Sequence, residues 1–172
     1  MAFRSLGDFL ADLDSRNDLL RIREPVSRDL EITEITQRVI RKDGPALLFE
    51  NVTGSSIPVV MNALGSPRRI ARALGAETLD GPVDRIARLT RLRPPAGVMG
   101  ALKDLSGTLQ TLDTLRSLAP KRVSAAPCQE VETDQVDLDA LPILRCWPGD
   151  GGRTITFPVV VTKDPELSLI HI

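Results

Sequence analysis

The stretch Leu141-Pro142-Ile143-Leu144-Arg145-Cys146-Trp147-Pro148-Gly149-Asp150-Gly151-Gly152-Arg153-Thr154-Ile155-Thr156-Phe157-Pro158-Val159-Val160-Val161-Thr162-Lys163-Asp164-Pro165 carries the densest pattern in the chain. Ile143 to Cys146 reads as a strand, Gly149 to Gly152 as a turn, and Thr154 to Thr162 as a second strand closed by Asp164-Pro165. A phosphate cradle needs convergent backbone N–H groups, and no helix pattern follows these glycines. A hairpin or connecting turn explains them more simply. Just upstream, Asp137 to Leu141 reads as one helical turn and Cys128 to Val131 as a further strand. The chain after Pro120 therefore has an all-β texture.

Before Pro120 helices and strands alternate. Ser5 to Asn17 predicts a helix, with Ser5 as N-cap, Asp8 three residues on, and Leu6, Phe9, Leu10 and Leu13 at helical spacing. Leu19 to Arg23 alternates Leu20 and Ile22 with Arg21 and Arg23, which suits an edge or half-buried strand ended by Pro25. Leu30 to Lys42 predicts a second helix with the stripe Ile32, Ile35, Val39 and Ile40, stopped by Gly44. Ala46 to Phe49 and Pro58 to Met61 read as neighbouring buried strands around the turn Thr53-Gly54-Ser55-Ser56. Ser66-Pro67 opens a third helix with inner face Ile70, Ala71 and Leu74, ended by Gly75. A fourth covers about Pro82 to Leu92, and Val98 to Leu118 is helical in tendency, interrupted by Gly100 and Gly107. The expected organisation is a mixed α/β domain over 1–120 followed by the start of an all-β unit over 121–166.

Composition narrows function by exclusion. The 172 residues are 42% hydrophobic and 26% charged, enough for one domain or a domain and part of another. Lys and Arg total 22 against 23 Asp and Glu, a formal net charge of −1, and aromatic residues are few, so no footprint for nucleic acid is present. Arg85, Arg88, Arg91 and Arg93 cluster, which reads as a solvated helix face. The carboxylates Glu130, Glu132, Asp134, Asp137 and Asp139 read as a solvated edge that discourages strand pairing. Cys128 and Cys146 lack metal-ligand spacing and suit a reducing compartment. With no apolar run near the length of a membrane span, a cytoplasmic protein is expected. The single histidine, His171, sits at the chain terminus. Ser-His-Asp, Cys-His and zinc chemistry thus have almost no material.

The run from Leu141 to Pro165 resembles the UbiD family of reversible carboxy-lyases, whose members carry a similar Leu-Pro-Ile, Gly-Asp-Gly-Gly and strand-Asp-Pro run. Phe9-Leu10, Pro45 to Asn51, Val59 to Asn62 and Arg69 to Gly75 agree in order and spacing, so the resemblance covers residues 1 to 166. It implies a mixed α/β domain followed by the first strands of a split β-barrel that binds prenylated FMN. It also implies decarboxylation or carboxylation of aromatic or α,β-unsaturated acids through a covalent flavin adduct. A divalent metal (Mn or Mg), a possible K ion and a homo-oligomeric full-length enzyme belong to the same expectation. The turn Asp150, Gly151, Gly152 and Arg153, together with Thr156, is expected near the flavin. The family's catalytic Arg and two Glu residues and its metal-binding Asn and Glu have no counterpart in these 172 residues. Thr154 stands where the family commonly has an aromatic residue.

Two further expectations concern the whole chain. Leu167-Ser168-Leu169-Ile170-His171-Ile172 fits neither the pattern nor the family and matches a translated transposase-adapter end, CTG TCT CTT ATA CAC ATC. A non-native tail over 167–172 is expected, with a short strand as the alternative. An isolated chain without the catalytic groups is expected to be inactive. The competing functional class is a stand-alone α/β interaction or assembly module.

Overall fold

The computed structural model describes residues 3–90, 123–127, 130–135, 137–156, 158–160, 162–163, 166–167 and 170–171. Its centre is a β-α-β crossover. β1 (Leu19–Ile22) and β2 (Ala46–Phe49) pair in parallel, Leu19 opposite Ala46 and Ile22 opposite Phe49, and α2 (Glu31–Ile40) connects them. β3 (Val59–Met61) returns antiparallel to β2, so the sheet order is β1-β2-β3. Because strand side chains alternate in direction, β2 feeds both faces. Leu47 and Phe49 enter a cluster with Val26, Ile32, Val52 and Leu144. Ala46 joins Phe9, Leu13 and Leu19 on the opposite face, beneath α1 (Leu6–Ser15). This mixed α/β arrangement is the one the alternating pattern predicts.

Local chemistry explains the helix ends. Ser5 Oγ accepts a hydrogen bond from Asp8 N at 3.1 Å, and Ser66 Oγ accepts one from Arg69 N at 3.2 Å at the start of α3 (Pro67–Ala73). Each such cap contributes about 1 kcal/mol. α2 has no side-chain cap. It starts after Leu30, whose φ of 68° is costly for leucine, and Leu30 N is satisfied by Arg145 O at 2.9 Å. At the other end, a Cβ on Gly44 would come within 2.5 Å of Val39 Cγ1, so close approach demands the glycine there.

Three expectations about inward faces need correction. Leu20 is exposed, because β1 is an edge strand and Leu19 and Ile22 supply its packing. Ile40 is exposed as the last residue of α2, while Thr33 and Thr36 are buried; Thr36 Oγ1 satisfies itself on Ile32 O at 2.7 Å. Leu74 lies past the end of α3 and is exposed, and Arg69 takes the buried place, 3% accessible. Arg69 can be buried because Nη1 meets Asp18 Oδ1 at 3.0 Å and Nη2 donates to Gly44 O at 3.3 Å. Asn62, at φ 58°, donates from Nδ2 to Gly44 O and Pro45 O beside it. One turn on, Arg72 grips both carboxylate oxygens of Asp12 and so ties α3 to α1; this hydrogen bond holds the Asp12 carboxyl down at about 2.

The later residues are less regular than their pattern predicts. A 3₁₀ turn, Leu138–Ala140, forms where one helical turn is expected, capped by Asp137 Oδ1 on Asp139 N at 2.9 Å. In place of two continuous strands there are a parallel bridge between Asp29 and Arg145, an antiparallel bridge between Leu144 and Thr154, and the pair β4 (Thr162–Lys163) with β5 (Ile170–His171). Pro142, Pro148 and Pro158 have no N–H to donate, which breaks any longer ladder. Cys128 and Gln129, the Val98 to Leu118 segment and the expected boundary near residue 120 lie outside the described residues.

Contacts divide the chain into two compact units, Met1–Gly75 with Asp137–Ile172, and Ala76–Val136. The second contains α4 (Asp80–Thr90), on which Arg85 is exposed as a solvated face predicts; the side chains of Arg88, Arg91 and Arg93 lie outside the described residues. Among the described residues no helix is long and apolar enough to cross a membrane.

Candidate functional site

The residues expected to form a site belong to one unit, yet they occupy two different places in it. The first is an apolar cleft of about 280 Å³ between β3 and the 141–156 segment. Val59, Val60 and Met61 form one wall, Leu141 to Leu144 another, and Thr154, Ile155 and Thr156 the third. Of the expected site residues, only Thr156 lines this cleft. The Leu144–Thr154 bridge, with Thr154 N on Leu144 O at 2.9 Å, holds the last two walls together.

The second place is the turn. Trp147 N donates to Asp150 Oδ2 at 2.9 Å and Asp150 N donates back to Trp147 O at 3.1 Å, so Asp150 is spent on closing the turn. Arg145 Nη2 donates to Pro148 O at 2.8 Å. Gly151 and Gly152 face open space, where a Cβ would meet nothing within 4 Å. Arg153 reaches away, with Nη1 3.0 Å from Asp139 Oδ1 and Nη2 3.4 Å from Asp29 Oδ2.

Beneath these two places lies a residue that no sequence pattern singles out. Arg28 Nη1 donates to the carbonyls of Asp139 (2.7 Å) and Leu141 (2.8 Å), and Arg28 O accepts from Arg145 N at 3.1 Å. Ser55 Oγ adds a bond to Ala140 O at 3.0 Å. Arg28 sits between Pro25 and α2 without periodicity or motif around it, so its role exists only in the folded chain.

A flavin mononucleotide would bring a flat ring and a phosphate dianion. The cleft's apolar walls suit the face of a ring, but its volume falls just short of the roughly 300–1,000 Å³ usual for small-molecule sites. Arg153, the cation nearest the glycines in sequence, is already balanced by two carboxylates. Among the described residues no three His, Cys, Asp or Glu side chains gather as metal ligands. The described residues thus offer part of a ring platform without a phosphate or metal site, and they do not by themselves fit the whole cofactor.

Residues 10–90 match the 3-octaprenyl-4-hydroxybenzoate carboxy-lyase N-terminal domain, and residues 121–171 match the Rift-related domain of the same carboxy-lyase. An uncharacterized protein of Archaeoglobus fulgidus is 43% identical over 166 residues, which is 96% of this chain and 33% of that protein. Vanillic acid decarboxylase of Sedimentibacter hydroxybenzoicus, in its closed form, superposes with a TM-score of 0.68 at 27% identity, covering 96% of this chain and 32% of that one. An evolved dimeric form of the UbiD-class enzyme HmfF from Pelotomaculum thermopropionicum, in complex with prFMN, superposes with a TM-score of 0.65 at 25% identity, covering 98% and 34%. The chain spans about a third of the length of each of these relatives. With both family domains matched in chain order and the fold shared with solved members, the chain belongs to the UbiD family.

Proposed function

We propose that this chain is the amino-terminal third of a non-oxidative decarboxylase that uses prenylated FMN on aromatic or α,β-unsaturated carboxylic acids. The observation that carries the reading is the collinear match of both UbiD domains, with the Leu141–Thr156 stretch forming two walls of the cleft. Residues outside these 172 supply the Arg, the two Glu residues and the metal ligands, so the isolated chain is inactive. In the family-length protein, Asp150 to Arg153 and Thr156 lie beside the flavin, residues from 121 on begin a split β-barrel, and a divalent Mn or Mg ion and K accompany the cofactor. A homo-oligomeric enzyme in the cytoplasm completes the reading.

The test is carbon dioxide release from a panel of such acids, using the family-length protein loaded with prenylated FMN and the 172-residue chain in parallel. Release by the longer protein alone supports the proposal. Turnover by the 172-residue chain overturns the division of labour, and silence of a correctly loaded longer protein across the panel counts against the activity. A second reading, an interaction module without catalysis, is favoured by the exposed Trp147, Val159 and Val160. It predicts a stable complex with a partner protein and no cofactor binding at family length.

A further inference from the structure

We propose that Arg28 is the positioning residue of the cleft, and this inference rests on the reading that the cleft belongs to the catalytic region. Its side chain is only 12% exposed and spends one nitrogen on two carbonyls, Asp139 O and Leu141 O, at the end of the 3₁₀ turn. Leu141 O also accepts from Ile143 N at 2.8 Å, and to both carbonyls Arg28, a cationic donor, makes a stronger bond than a neutral one. The backbone of the same residue accepts from Arg145 N, and two residues on, Leu30 N donates to Arg145 O. Side chain and main chain together therefore grip both ends of the Leu141–Arg145 wall from more than a hundred residues away in sequence.

The ion pair contributes little to this grip. Arg28 Nη2 lies 3.7 Å from Asp139 Oδ1, and the Asp139 side chain is 85% exposed, so water screens the attraction. The carbonyl bonds are the working contacts. Arg28 is accordingly a positioning residue. It reaches the cleft wall through its bonds to Leu141 O and Arg145 N, and it does not line the cleft itself.

The chain carries its own reporter, because Trp147 is the only tryptophan and there is no tyrosine. In the 172-residue protein, Arg28→Met is expected to raise acrylamide quenching of Trp147 and to speed amide exchange of Arg145 and Thr154 by about tenfold, while amides of β2 stay protected. Asp139→Asn is expected to leave both signals near wild type, and Arg28→Lys, which keeps a donor, to fall between. Equal effects from Asp139→Asn and Arg28→Met, or unchanged exchange in Arg28→Met, would overturn the proposal. If Arg28→Met unfolds the whole protein, Arg28→Lys decides: local loosening confined to 141–156 supports positioning, and uniform loss of protection overturns it. In the family-length enzyme, Arg28→Lys is expected to lower kcat with KM nearly unchanged. Silence of the wild-type enzyme in that assay would defeat the proposed activity, while the exchange data would still decide the role of Arg28.

Discussion

The β1-β2-β3 sheet and the segment from Trp147 to Val160 contain similar apolar side chains and treat them in opposite ways. Phe49 is completely buried, with helices against both faces of its sheet, while Val159 is 83% exposed and Val160 60%. The difference lies in the second layer. A strand's apolar content becomes stability only when another element covers it, and among the described residues nothing covers 158–160. The same kind of sequence can therefore be a core in one place and an exposed surface in another.

The largest break in this comparison should come from Phe49→Ala, which removes a fully buried ring and is expected to cost about 3–5 kcal/mol in denaturant unfolding. Val159→Ser should change stability by less than about 0.5 kcal/mol and reduce self-association, read by light scattering. A cost for Val159→Ser that rivals Phe49→Ala would mean that the two regions are not different after all. Next comes Asp18→Ala. It strands Arg69 in the interior and is expected to cost about 3 kcal/mol, whereas Glu50→Ala, beside the solvent-facing Arg21 and Arg23, should be close to neutral. Gly65→Ala should follow at about 1–3 kcal/mol, since its Cβ would sit 1.6 Å from Asn62 Oδ1 and force Asn62 off Gly44 O and Pro45 O. Acid should act more weakly than these three losses of Phe49, Asp18 and Gly65. Asp12 titrates at about 2 in the folded chain against 3.8 normally, because Arg72 holds its charged form. Its contribution is therefore full above about pH 4 and lost as pH falls toward 2. Asp12→Asn should remove that part of the acid limb, at most about 1 kcal/mol in solvent-screened surroundings.

The elements that local chemistry specifies were legible. Ser5 and Ser66-Pro67 mark helix starts that the folded chain uses, and the apolar runs Ala46–Phe49 and Val59–Met61 pair as neighbours. Legibility failed where a tertiary partner decides the outcome. Arg69 reads as a surface charge until Asp18 and Gly44 O meet it, and the alternation that allows β1 to be an edge strand does not tell that Leu20 is the apolar residue it leaves exposed. The candidate site shows the same limit. The run from Leu141 to Pro165 points to the right family, but the expected cluster divides, with Thr156 in the cleft and Arg153 held by Asp29 and Asp139. Arg28 has no local signature because its three bonds are all to residues 139–145.

Leu144 is a member of the same buried cluster as Val26, Ile32, Leu47 and Phe49, and this sets a timetable for the nascent polypeptide. When β2 leaves the ribosome, one side of its sheet still lacks a plug that will be translated almost a hundred residues later. At roughly 5–20 residues per second, the wait is on the order of ten seconds. Through that interval Phe49 and Leu47 lack one of the side chains that bury them in the finished protein, and slow codons between β2 and Leu144 would lengthen it without altering a single final contact.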